Sequence, residues 1–317
     1  MEVIYLDQLH WIEISKYISG EPCNSSTSEV FKIMKKGVDS GSIVFPLSIS
    51  HYFETLKHND PESRKRLAGT MRELSKGLTI LSLSQVVRAE IESALIDIFK
   101  LDRTIEMQYV GQGLAHALGK NINLNLEWPN PQAVPEADRV AFEKQVFDAI
   151  ETVYLSGVLN DSVCDIFRSK DYTNDNIFMA HLNEWRGCAA RMSDQELEYE
   201  IFRITLKDIY APLLEVILSI GLHPDQISQL DEEKLRKIID HMPTRKIDMH
   251  LRRQWAKNGD LKPKQSDLND WAHLGSAICY ADLVITEKQM ANLLSRYKPY
   301  KMKVTSRLAD LLEKEFA

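Results

Sequence analysis

The sequence predicts an α/β protein with a mainly parallel sheet and a large all-α insertion. Two observations carry that prediction. Short apolar runs alternate with helical patterns near both ends of the chain, while the middle shows helical periodicity alone. The first, third and fourth runs are also continuous rather than polar-alternating, as expected for strands covered on both faces.

Strands are expected at "EVIYL" (2–6), "SIVFPL" (42–47), "LTILSL" (78–83), "LVIT" (283–286) and "KMKVT" (301–305). Between the early strands, Val30, Ile33 and Met34 precede Gly37 at helical spacing. Leu67, Met71 and Leu74 line one side of "RKRLAGTMRELSKG", with Gly77 as its stop. From 84 to 245 the pattern is helical with no strand. Val87, Ile91, Leu95, Ile98 and Phe99 mark one helix, and 197–221 a longer one that Pro212 kinks or divides. Loops are expected at 119–138, with three prolines, and at 168–178. The expected organisation is a discontinuous core, 1–84 with 246–317, and a helical insertion at 85–245.

The 317 residues are 44% hydrophobic and 27% charged, ordinary for a soluble globular chain. No apolar run reaches the roughly 18 residues of a membrane helix, and no signal peptide pattern opens the chain, so a cytoplasmic protein with no membrane partner is expected. Four cysteines lie far apart without a C-x-x-C pair, arguing against a zinc knuckle or a disulfide framework. Cys279 is expected to be a small buried side chain. Neither G-x-x-x-x-G-K-[ST] nor G-x-G-x-x-G occurs, so no Gly-rich nucleotide loop is supported. A net charge of −7 disfavours a nonspecific nucleic-acid binder, unless acids gather around a divalent cation that offsets them.

Ligands of parallel sheets collect at the carboxyl ends of strands. Asp7 follows the first strand. A helix starting near Ser48 or Ser50 puts Glu54 on the same rim. Asp267 and Asp270 open a helix before the fourth strand, and Thr286 and Glu287 follow that strand. Singly, Asp7, Asp267 and Asp270 read as helix-start residues. Together, converging carboxylates would repel one another unless a cation relieved them. Hard oxygen donors suit Mg²⁺ or Mn²⁺, which assist phosphodiester hydrolysis. A covalent aspartyl nucleophile is disfavoured, because "DQLHW" lacks the D-x-D-x-T pattern.

"YLDQLHWIEIS", "SISHYFETLK" and "DLNDWAHLGSAICYADLVITEK" resemble the signature segments of PIN-like nucleases, in the family's order. The resemblance covers about the first 85 and last 60 residues. It implies a three-layer α/β/α sandwich with a central mainly parallel sheet, Mg²⁺ or Mn²⁺ as cofactor, and ribonuclease activity. On the matching positions it implies metal ligation and catalysis by Asp7, Glu54 and Asp270. Ser48 matches a serine six residues before the second acid. Where the family has T-x-D, this chain has Thr286, Glu287 and Lys288, so the fourth acid is displaced. Glu287 or Asp282 could stand in for it, and Asp267 or Glu287 could assist through a water. Asp282 precedes the strand and is expected at the opposite end.

The segment 244–265 is locally cationic and contains Trp255. Arg252, Arg253, Lys257, Lys262 and Lys264 are its candidates for holding a nucleic-acid strand, and a solvated helix face is the alternative. The second cationic stretch, 63–72, has the same two readings, and His273 reads as a core histidine. RNA is the expected partner and DNA the rival substrate. A non-cleaving binding or assembly module, and a protein partner or self-association through the insertion, are the other classes.

Overall fold

The computed structural model describes residues 1–119, 134–156, 173–259, 274–297 and 303–313. The chain runs β1 (Glu2–Leu6), α1 (Gln8–Ile18), α2 (Thr27–Ser40), β2 (Ile43–Val44), α3 (Ile49–Lys57), α4 (Pro61–Ser75), β3 (Leu78–Ile80), α5 (Leu83–Phe99), β4 (Val110–Gln112) and α6 (Gly113–Leu118). There follow α7 (Glu136–Ser156), α8 (Thr173–Ala189), α9 (Asp194–Ile220), the short α10 (Pro224–Ile227), α11 (Glu232–Asp240) and α12 (Pro243–Lys257). A helix at 274–280, α13, leads into β5 (Leu283–Ile285), α14 (Lys288–Ser295), β6 (Lys303–Thr305) and a 3₁₀ segment (Leu308–Glu313).

Four strands form a parallel sheet in the order β2-β1-β5-β6. Side chains of the two central strands alternate between faces, as the period of a strand requires. Ile4, Leu6, Leu283 and Ile285 enter one apolar cluster with Trp11, Met34 and Met71. Tyr5 and Val284 enter another with Trp255, Ile278 and Leu294. Both faces are therefore covered, which is why β1 and β5 read as continuous apolar runs.

Several boundaries differ from the sequence pattern. The run at 42–47 yields only the two residues of β2, because Pro46 has no N–H to give a ladder. The third run closes after Ile80, and Leu83 already belongs to α5. The all-α expectation for the middle is corrected by β4, which pairs antiparallel with β3. Its three residues, Val110-Gly111-Gln112, are too few and too mixed to show a period. β3 also meets Leu47 through a parallel bridge, joining this small ladder to the chain leaving β2. Gly37 lies inside α2. A methyl group there would collide with Ile43, so the glycine permits close packing and the helix ends at Gly41, at φ 71°. Residues 173–178, expected as loop, open α8. Pro212 lies inside an unbroken α9. The proline-rich stretch at 120–133 lies outside the described residues.

The insertion shares the core rather than sitting apart from it. Leu114 and Leu155 join the first cluster, and Val86, Tyr109 and Leu182 the second. A third cluster is built by α5, α9 and α11, with Val87, Ile91, Phe202, Ile209 and Ile238. Two buried carboxylates tie these parts together. Glu151 of α7 pairs with Arg72 of α4 at 2.9 Å and accepts from the Leu114 N–H. Glu90 of α5 accepts from the Thr244 N–H at 3.1 Å, the Thr244 hydroxyl and the Tyr280 hydroxyl at 2.7 Å. Among the described residues no helix is long and apolar enough to cross a membrane.

Candidate functional site

Parallel pairing of β1 with β5 sets Leu6 against Ile285, so the residues that follow, Asp7 and Thr286, share one rim. The Asp7 N–H donates to the Ile285 carbonyl at 2.9 Å. Asp7 caps α1: Oδ1 accepts from the Gln8 N–H at 2.6 Å, while Oδ2 accepts from the buried Thr286 hydroxyl at 2.9 Å. Two short hydrogen bonds thus fix the carboxylate, which stays half-buried rather than enclosed.

The second acid reaches the same rim because the start of α3 is pinned to the end of β1. Ser48 caps α3, and its N–H donates to His51 Nδ1 at 2.8 Å. Nδ1 is therefore the acceptor and Nε2 the donor, to the Leu6 carbonyl at 2.8 Å. His51 is 1% exposed. Burial pushes its pKa down to about 4, against the pull of the Leu6 carbonyl and Asp7, so the ring is neutral at pH 7. The Tyr5 hydroxyl lies 3.0 Å from Ser48 Oγ, which also contacts Ser50. Burial, then Asp7, drives the Tyr5 pKa upward and keeps the phenol protonated.

Glu54 stands one turn after His51. Burial and the nearby Asp7 carboxylate raise its pKa to about 7, with Lys57 opposing. The folded protein therefore holds this proton more tightly than the unfolded chain, whose glutamates titrate near ~4.3. Stability from this group is present below that value and is lost as pH rises to about 7. Glu54→Gln should remove the loss. In chelator at pH 8 the variant is expected to be more stable by about 1–2 kcal/mol, after discounting for the side chain's partial exposure. The difference should vanish near pH 4, as thermal melts across pH 4–8 would record. A variant less stable than the parent at pH 8 would contradict the electrostatic conflict.

The other nominated residues are distributed as follows. Asp267, Asp270, Lys262 and Lys264 lie outside the described residues, as does His273. Asp282 is on the opposite rim, where its carboxylate accepts from the Val3 N–H at 2.8 Å. It is not brought to Asp7. Glu287 caps α14 directly after Thr286, and Lys288 is the exposed first residue of that helix. Ser48, 3% exposed, is held within the Tyr5–Ser50–His51 network rather than offered to a ligand. The Thr286 hydroxyl is spent on Asp7.

The nominated cations of α12 that the structure describes are each engaged by an acid. Arg252 pairs with Asp208 and Asp248, each at 2.9 Å, Arg253 pairs with Glu198, and Lys257 meets Asp194 at 2.6 Å. The pairs with Asp208, Glu198 and Asp194 seam α12 to α9, while Asp248 is one turn before Arg252 on α12 itself. Trp255 is 2% exposed and lies in the second cluster, so it cannot stack on a base. Along 63–72, Arg64 is 1% exposed and donates to the His58 carbonyl at 2.7 Å. Cys279 is half-buried rather than buried, with its thiol pKa pushed up chiefly by burial.

Sequence reading missed the polar wall behind the acids: Tyr5, Ser50 and His51, and Gln8, whose amide donates to Thr55 Oγ1 at 3.0 Å. A signal existed for His51. It stands three residues after the cap, where a capping box usually carries Glu or Gln. His10, 3% exposed, gives no such signal. Burial pushes its pKa down, opposed by Asp7.

Asp7 and Glu54 are hard oxygen donors of the kind Mg²⁺ takes, and that ion commonly uses one or two carboxylates and keeps several waters. Among the described residues no three His, Cys, Asp or Glu side chains converge as a cation cage. The donor pair fits such an ion in chemistry without enclosing it. No protein-family model, curated protein or solved structure matches this chain.

Proposed function

We propose that this chain is a metal-dependent endonuclease with a PIN-like α/β/α core, acting on RNA in preference to DNA. The observation that carries the reading is the meeting of Asp7 and Glu54 at the carboxyl rim, with Glu54 lifted to about 7 by burial and Asp7. A structural role alone would not require a glutamate withdrawn from water within reach of the Asp7 charge. Asp7 and Glu54 would hold Mg²⁺ or Mn²⁺, with Asp270 as third ligand and Asp267 or Glu287 assisting. When bound, the ion offsets the two carboxylates and stabilises charge developing on a phosphodiester.

The chain's own groups prepare that site. Gln8 and Thr286 aim Asp7 by fixing both oxygens. His51 and Ser48 hold α3 so that Glu54 faces it. Near neutrality Glu54 exchanges its proton readily, so binding a cation there releases protons and strengthens as pH rises through about 7. The test is incubation of the purified protein with labelled RNA and DNA in Mg²⁺, in Mn²⁺ and in chelator. Cleavage of RNA that needs the ion supports the reading, and absence of cleavage under every condition removes it.

A second reading, assembly through the insertion, has one observation in its favour. On α9, Tyr210, Leu214 and Leu218 are 59%, 42% and 78% exposed and recur every four residues along one face. An uncovered apolar stripe of that kind suits a partner or a second copy. The mass of the protein in solution decides between a monomer and a self-associated form.

A further inference from the structure

A pocket of about 270 Å³ opens between α1 and α4. It has room for a phosphate and its hydration, since a water occupies ~30 Å³. Lys16, Arg66, His58, Ser63 and Glu21 line it above Ile12 and Leu67. Both α1 and α3 lead to it from the carboxylate rim. Lys16 is nine residues beyond Asp7, about 13 Å along the helix axis, and His58 caps α3 one turn after Glu54, about 6 Å away.

Charge distinguishes this pocket from the cationic helix α12. Lys16 is exposed and has no ion-pair partner among the described residues. Arg66 reaches Glu21 at 3.3 Å, with both side chains 43% exposed, a contact of small value that leaves guanidinium donors available. Burial and the Arg64 charge push the His58 pKa down, so Lys16 and Arg66 supply the pocket's charge, two cations against Glu21. Ser63 Oγ already accepts from Arg66 at 3.0 Å and orients it. The N-terminus of α4 is not the attraction, because Asp60 caps it through the Ser63 N–H at 2.9 Å.

We propose that this pocket is a phosphate subsite, with Lys16 and Arg66 holding a backbone phosphate of the nucleic-acid strand whose scissile bond lies at Asp7 and Glu54. The subsite rests on the nuclease reading above and extends it: the strand runs beside α1, away from the cations of α12. Guanidinium and ammonium together suit a phosphate diester, and the Ser63 hydroxyl, which donates to Asp60, serves to orient Arg66.

The test uses Asp7→Asn protein, so that substrate survives, and fluorescein-labelled single-stranded oligoribonucleotides followed by anisotropy over a range of salt. Adding Lys16→Ala and Arg66→Ala should weaken binding about tenfold. It should lower the slope of log K against log salt by about 1.4, the value for two phosphate-neutralising cations on a single strand. Oligonucleotides carrying one neutral methylphosphonate, placed in turn along the strand, locate the contact. One position should weaken binding to the Asp7→Asn protein and have no effect once Lys16 and Arg66 are gone. Both side chains are exposed, and thermal melts check that the fold is retained. Equal affinity and slope with and without the two cations would overturn the subsite alone. No binding of any oligonucleotide by the parent would overturn the subsite and the nuclease reading together.

Discussion

Asp7→Asn is expected to reduce metal-dependent cleavage by about 10²–10³-fold, the scale seen when one preorganised electrostatic group is removed from an active site. The substitution deletes a charge while keeping the shape. Asn is as good an N-cap as Asp, so the amide oxygen can still accept from the Gln8 N–H and hold the start of α1. The Thr286 hydroxyl keeps an acceptor if the amide oxygen turns toward it, though one oxygen cannot serve both donors equally well. A loss of about 1 kcal/mol in stability is therefore the upper expectation. The same substitution relieves Glu54 of its charged neighbour, so the Glu54 pKa should fall from about 7 toward the ordinary carboxylate range. Cleavage rates with Mn²⁺ and a denaturation curve in chelator measure the two effects separately. Unchanged cleavage by a folded variant would remove Asp7 from the chemistry and return it to helix capping.

Glu90→Ala should damage the fold strongly, costing about 2–4 kcal/mol through orphaned donors and a void. Glu90 is 4% exposed and accepts from the Thr244 N–H, the Thr244 hydroxyl and the Tyr280 hydroxyl. Its pKa is raised because burial outweighs those three donors. Truncation would strip the acceptor from donors on α12 and α13 and leave a void among α5, α12 and α13. Glu90→Gln keeps an acceptor oxygen but turns an NH₂ toward a donor, so an intermediate loss is expected. Denaturant melts should show the midpoint falling in the order parent, Gln, Ala. A loss below about 1 kcal/mol for the Ala variant would mean that water or rearrangement replaces the carboxylate.

Residues whose environment is set by their neighbours in sequence were legible in advance. β1 and β5 appear where continuous Val, Ile and Leu runs place them, and Ser48 caps α3 at the position its sequence suggests. The rim positions of Asp7 and Thr286 follow from strand ends and a parallel ladder. Illegible features depend on distant partners. β4 exists because β3 supplies its ladder, and its three residues are too short to carry a period. Arg252 has one acid within reach in its own segment, Asp248 at i−4, but the α9 acids that meet Arg252, Arg253 and Lys257 lie 44 to 63 positions away and were hidden. A run of cations in sequence records only the charge of its own segment. Tyr5 escaped notice for a related reason: on a strand of apolar neighbours it reads as core, and only folding sets its hydroxyl beside Ser48.

The hydrogen bond from Thr286 to Asp7 joins residues 279 positions apart in the chain. Asp7 is made first and must wait for β5 before its rim exists. At ~5–20 residues per second of synthesis, that wait is roughly 15–55 s. Contacts of such long range are also slow to close once the chain is free. During translation the carboxylate therefore faces solvent without Thr286 to aim it, and whatever chemistry the rim performs begins only after β5 has been made and has docked. For a protein proposed to cut RNA, the order of synthesis delays its activity until the strand that carries Thr286 has followed Asp7 out of the ribosome.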